Sequence, residues 1–236
     1  MTSNNIWVCG IPGSRWSGID IQLRSVLPCD RTDETPNRTM YHRAYNPDDA
    51  NNGHRGSYWG PGMGCGEDWI DFNFLTKNKL QDDINSVFTG EGYRVIKNHF
   101  LARKFNLDFI WNNFPGDKIV LIYREPQKSF AWWSEVMDFA PDHYPDYRPG
   151  YTDYNTMRDL LWKESSKITD FAMRKGLSFK PYNISAFGTW EGFSHSAAYS
   201  IDFDRINIDK HKDVYITSAT IPERNIDIPI QNTLAL

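Results

Sequence analysis

Three stretches of the chain carry residue types at spacings able to do chemistry. In residues 6–19, IWVCGIPGSRWSGI, an apolar run breaks at Gly10, Pro12 and Gly13, and a helical pattern follows in Ile19, Ile21, Leu23, Val26 and Leu27. Strand, tight turn and helix in that order gather the unpaired amides of the helix start, near Ser14 to Ser17, at one point, where the positive end of the helix dipole favours an anion. The spacing GxxxxGKS/T is met in part: Gly10 and Ser17 stand at its ends, while Arg15 and Trp16 occupy the Gly-Lys positions. The same residues also suit an ordinary strand-to-helix turn with Ser14 or Ser17 as N-cap. The second stretch is a short strand, Tyr93, Arg94, Val95 and Ile96, running into Lys97, Asn98 and His99. The third is KIVLIY, Lys118 to Tyr123, which delivers Arg124 and Glu125. Polar residues at the carboxyl ends of parallel strands are where α/β folds hold their ligands.

The elements that must position these residues are legible between them. TKNKLQDDINSVF reads as a helix with Thr76 as cap and Leu80, Ile84, Val87 and Phe88 on one face, ended by Gly90 and Gly92. A further helix runs through Phe105, Phe109, Ile110 and Trp111, and KIVLIY is a continuous apolar strand bounded by Gly116 and Pro126. Pro126 suits the first turn of a helix QKSFAWWSEVMDF. Asp153 or Thr152 caps a long helix whose inward stripe is Leu160, Leu161, Ile168, Phe171, Ala172 and Met173, stopped by Gly176. Residues 178–184 and 214–217 read as further strands, and residues 218–236 as a C-terminal arm. Residues 29–75 are rich in Asn, Asp, Gly and Pro and show no sustained period, so they read as a long irregular insertion, a lid ordered by Tyr41, Tyr45, Tyr58, Trp59 and Trp69. The expected architecture is a single α/β domain over 1–236, a three-layer sandwich around a central, mostly parallel sheet.

Composition bounds the partners. The formal net charge of -4 provides no whole-surface basic field for nucleic acid or an anionic membrane. Nine Trp, twelve Tyr and fourteen Phe suit pockets for flat or sugar-like groups, although most belong to the core. Three cysteines, Cys9, Cys29 and Cys65, one of them in an apolar strand, read as reduced thiols, and neither a basic leader nor an apolar stretch of spanning length is present. The expectation is a soluble, cytoplasmic protein. His42, His54, Cys65, Asp48, Asp49 and Glu67 follow no zinc spacing, so no metal is expected.

Taken in order, GIPGSRWS, IKNH and IYREP resemble the motifs of sulfotransferases that use 3'-phosphoadenosine 5'-phosphosulfate, and FPGDKIVLIYREP is similar to that family's phrasing of its last motif strand. The resemblance covers residues 6–27 and 93–136. It implies a P-loop-containing nucleotide-binding fold and sulfuryl transfer to a hydroxyl or amine of a small-molecule or carbohydrate acceptor. Carried onto this chain, it implies that Pro12, Gly13, Ser14, Arg15, Trp16 and Ser17 line the phosphosulfate, with Ser14 and Ser17 matching the loop's hydroxyls. Lys97 and His99 match the family's lysine and catalytic histidine, and Arg124 its 3'-phosphate arginine. Gly13 stands where the family has a lysine, so either Arg15 takes over the cationic role or transfer is impaired; Trp132 stands where it has a serine, which Ser129 or Ser134 would replace. Histidine is the side-chain type suited to proton transfer near neutral pH, and His99 is the implied base, with Lys97 on the sulfonate oxygens. Two other readings stay open: a non-catalytic relative that binds a nucleotide or glycan, and a P-loop nucleotide kinase, disfavoured by Trp16 at the lysine position.

Overall fold

The computed structural model describes residues 4–14, 20, 23–24, 27–35, 40–41, 53–54, 56–61, 63–98, 100–124, 126–127, 129–130, 153–176 and 217–220. Its centre is β1 (Asn5–Gly10), a run in which every residue is buried. Ile6, Trp7 and Val8 are wholly inaccessible, as a strand covered on both faces requires. β1 pairs in parallel with β5 (Arg94–Asn98) on one side and with β6 (Lys118–Tyr123) on the other. The sheet is closed at one edge by β4 (Tyr58–Trp59), parallel to β5, and at the other by β7 (Thr217–Thr220), antiparallel to β6. The strand order β4-β5-β1-β6-β7 makes an α/β domain with a mostly parallel sheet. Two further short strands, β2 (Met40–Tyr41) and β3 (Gly53–His54), pair with each other outside it.

Helices cover both faces. Trp7, Cys9, Ile96, Ile119 and Leu121 point to one face, where they form a single apolar core with α1 (Lys77–Val87), α2 (Asn106–Asn113) and α3 (Tyr154–Arg174). The expected stripe of α1 is the observed one: Leu80, Ile84, Val87 and Phe88 are buried, and Thr76 caps the helix by accepting from the Lys79 amide. In α3 the inward stripe is Met157, Leu161, Ile168, Phe171 and Ala172, whereas Met173, expected in it, is 71% exposed. Asp153 caps α3, accepting from the amides of Asn155 and Thr156. Asp153→Ala should cost about 1 kcal/mol, read as a lowered urea midpoint.

On the opposite face lies helical backbone at Asp20, Leu23 and Arg24. A connection that leaves β1 over this face toward β4, and one that leaves β5 over the other face toward β6, run in opposite directions on opposite sides. Both therefore have the same hand, as parallel crossovers do.

Several described residues of the segment 29–75 belong to the sheet and the core. Cys29 bridges Tyr93 alongside the start of β5, the Asp30 amide donating to the Tyr93 carbonyl, and β4 is an integral edge strand. Tyr58, Trp59 and Trp69 are core residues, with Trp59 stacked on Trp69 at 4.4 Å. Two-residue strands and single-residue bridges are too short to leave a periodic signature, which is why the segment reads as irregular. Residues 218–220, expected in the C-terminal arm, belong to β7. The strand expected at 178–184 lies outside the described residues, as does most of that at 214–217. No helix among the described residues is long and apolar enough to cross a membrane.

Candidate functional site

The strand order creates one place where neighbouring connections diverge. The chain leaves β1 toward the β5 side and leaves β6 toward β7, so the ends of these strands beyond Gly10 and Tyr123 form a switch point, the place where open α/β sheets have the crevice that binds ligands. Two of the three polar strand ends meet there. The turn after β1 is closed by the Ser14 amide donating to the Ile11 carbonyl at 3.0 Å, with Gly13 at φ +76°, a left-handed conformation suited to glycine. Arg124, the first residue after β6 and wholly buried, reaches across and donates from Nη1 to the Gly13 carbonyl. Ser129, in the helical turn that follows Pro126, packs its backbone against Gly13 so closely that a Cβ at position 13 would lie 2.1 Å from the Ser129 carbonyl oxygen.

Two hydroxyls in this crevice are buried and make no hydrogen bond, those of Ser14 and Ser129. A buried polar group left without a hydrogen bond costs about 1–3 kcal/mol, so these two hydroxyls are the costly feature of the turn. Pro12, Gly13, Ser14, Arg124 and Ser129 are thus brought together. Arg15, Trp16, Ser17, His99 and Trp132 lie outside the described residues.

Lys97 is placed differently. Its side chain points to the face covered by Asp20, Leu23 and Arg24, where it is fully buried and its Nζ donates to Asp20 Oδ2 at 2.8 Å, 4.6 Å from the Tyr58 ring centroid. Asp20 also accepts from Arg24 Nε at 2.8 Å, and Arg24 in turn forms a two-pronged pair with Asp33 at 2.9 Å and 2.9 Å. Asp33 accepts in addition from the Ser57 amide. Burial alone would push the Asp20 carboxyl up, but Arg24 and Lys97 outweigh it and hold it below the usual carboxylate range. For Lys97 burial prevails over Asp20 and its ammonium is held below the usual lysine range. This cluster joins the helix that follows the turn to β4, β5 and residues 28–35, so Lys97 braces the scaffold of the crevice. Sequence reading missed Asp20, Arg24 and Asp33. Their signal was the i,i+4 spacing of Asp20 and Arg24, legible as a helical pair but silent on burial.

The carboxyl end of β5 is pinned from several sides. The Phe100 amide donates to Asn98 Oδ1, Asn106 Nδ2 donates to the Phe100 and Ile70 carbonyls, and Arg103 Nε pairs with the buried Glu164 of α3. Glu164 lies near enough to Cys9 to reinforce what burial does first, pushing that thiol far up, so Cys9 stays protonated and is no nucleophile. Comparison with protein-family models, with curated proteins and with solved structures finds no match for this chain.

Proposed function

We propose that the chain has a P-loop-type nucleotide-binding fold, that it binds 3'-phosphoadenosine 5'-phosphosulfate in the crevice between β1 and β6, and that it transfers the sulfuryl group to a hydroxyl or amine of a small-molecule or glycan acceptor. The observation that carries this reading is the pair of buried, unbonded hydroxyls of Ser14 and Ser129 around the Arg124–Gly13 contact, at the switch point of the sheet. Hydroxyls and a guanidinium around a turn suit a tetrahedral oxyanion, the guanidinium holding it with charge-assisted bonds. Sulfuryl transfer asks mainly for alignment and for cations near the developing charge. The acceptor oxygen bonds to sulfur as the bond from sulfur to the bisphosphate oxygen breaks, and the acceptor proton passes to a base. The resemblance gives that base role to His99, the charge on the leaving phosphate to Arg15 and the 3'-phosphate to Arg124.

A second reading is favoured by two contacts. Gly13 leaves no room for a loop lysine and Lys97 is engaged by Asp20, as in a protein that binds the nucleotide and does not turn it over.

Thermal unfolding with adenosine 3',5'-bisphosphate, with ATP and with buffer separates the cases. The bisphosphate is expected to raise the midpoint by several degrees, roughly 3 kcal/mol at a hundredfold excess over Kd; stabilisation by ATP alone would sink both readings in favour of a kinase. With labelled phosphosulfate donor, transfer that disappears in His99→Ala supports catalysis. Binding with no transfer by the parent chain supports the second reading.

A further inference from the structure

Away from the crevice, the loop between β5 and α2 and the second half of α3 leave a shallow cavity of about 130 Å3. Its floor is apolar and buried: Leu101, Leu107 and Phe171 are at most 4% exposed. Its lip includes Phe105, Lys167 and Asp170. Phe105 is 61% exposed, an aromatic ring left largely in water, and it stands at the N-cap of α2 without making a cap bond, where Ser, Thr, Asp or Asn would serve the helix better.

The charges around the cavity sort into two kinds. Arg174 is neutralised by a two-pronged pair with Asp108 at 2.7 Å and 2.8 Å, and Lys104 by Asp71 at 2.6 Å. Lys167 and Asp170 make no ion pair with each other or with any other described residue; the Lys167 ammonium lies 5.4 Å from the centroid of the Phe105 ring. Three apart on α3, they share a face of the helix. An apolar floor therefore carries on its rim one cation and one anion that form no ion pair among the described residues, Lys167 within the field of Asp108 and Asp170 within that of Arg174. The space is under half of the ~300 Å3 at which drug-sized sites begin, so it admits a single ring or a short branched chain.

We propose that this cavity binds a small zwitterion with an apolar tail, the chemistry of a free apolar α-amino acid. The tail lies on Leu101, Leu107 and Phe171 against the Phe105 ring, the carboxylate meets Lys167 and the ammonium meets Asp170. A simple carboxylate would leave Asp170 facing its anion, and a simple amine would leave Lys167 facing its cation. The zwitterion is the ligand that satisfies both. The site stands apart from the β1/β6 crevice, and the proposal does not rest on the function read there.

Titration of the full chain with L-leucine and L-phenylalanine, followed by amide chemical shifts, tests it. Saturable shifts are expected at residues 101–108 and 167–174. Because exposed charge pairs contribute little, 3-phenylpropionate and 2-phenylethylamine should each bind about fivefold more weakly than phenylalanine, and Lys167→Met and Asp170→Asn should each weaken leucine binding about fivefold. Both positions are exposed, so the variants should fold, which their unperturbed spectra outside the cavity would verify. Shifts that never saturate, shifts centred elsewhere, equal binding of 3-phenylpropionate, or unchanged affinity in either variant would overturn the proposal.

Discussion

Gly13→Lys is expected to destabilise the chain by about 2–4 kcal/mol and to abolish nucleotide binding, although lysine is the residue that the resemblance calls for at this position. The left-handed backbone at φ +76° costs a non-glycine residue about 1–2 kcal/mol. The remainder comes from the Cβ, which would fall 2.1 Å from the Ser129 carbonyl oxygen. That atom is backbone and no rotamer change moves it away, so relief requires separating the β1 turn from the segment after β6. Such separation breaks the Arg124 Nη1 bond to the Gly13 carbonyl and opens the cradle. Gly13→Ala should show nearly the full stability loss, because the obstruction is at Cβ and not along the lysine stem. Urea midpoints of the two variants, with bisphosphate-induced thermal shifts, check this. A Gly13→Lys chain as stable as its parent and binding more tightly would show that the turn is not clamped. The cation of the cradle then has to come from a neighbour, and Arg124 is the described residue already in place.

Asp20→Ala should cost about 3–5 kcal/mol, because it leaves two buried cations, Lys97 and Arg24, short of the carboxylate they share. Asp20→Asn should cost less, since an amide can still accept a hydrogen bond from one of them. The same contact sets an acid dependence. The folded chain holds Asp20 below its ordinary carboxylate value, as it does Asp71, where burial is outweighed by the bonds from Lys104 and Asn73 together, and Asp108, where the bond from Arg174 is the leading cause. Groups with lowered values bind fewer protons folded than unfolded. Their stabilisation is complete above about pH 4, the unfolded value, and is lost as pH falls through the lower folded value. Urea midpoints measured from pH 5 down to pH 2 should therefore fall steadily in the parent and less steeply in Asp20→Asn. Equal slopes would mean that Asp20 is not ionised in the fold.

Legibility followed the range of the interaction. β1, β6, the Thr76 and Asp153 caps and the buried face of α1 are all decided within a dozen residues, by an apolar run, a hydroxyl or carboxylate at the right offset, or a 3.6-residue period. The candidate cradle was visible for the same reason: glycine, proline and serine punctuate the end of an apolar strand. The burial of Lys97 against Asp20 was not legible, because alternation places a side chain on one face of a strand but does not say what covers that face. Its partner Asp20 is 77 positions away, on a helix whose apolar pattern predicted no buried charge. The pairings of residues 29 and 58–59 beside β5 were not legible because they are one or two residues long.

By itself, then, the amino-acid order determined that strands and helices alternate, that three strand ends are polar, and that the turn after β1 can gather amides. Only the tertiary structure decided which of those ends face one another. Parallel neighbours are chosen by crossovers and by burial across the whole sheet, and that choice sets the end of β6 beside the turn. Arg124 thereby meets Gly13 from 111 positions away, and the two unbonded serine hydroxyls come to lie beside them.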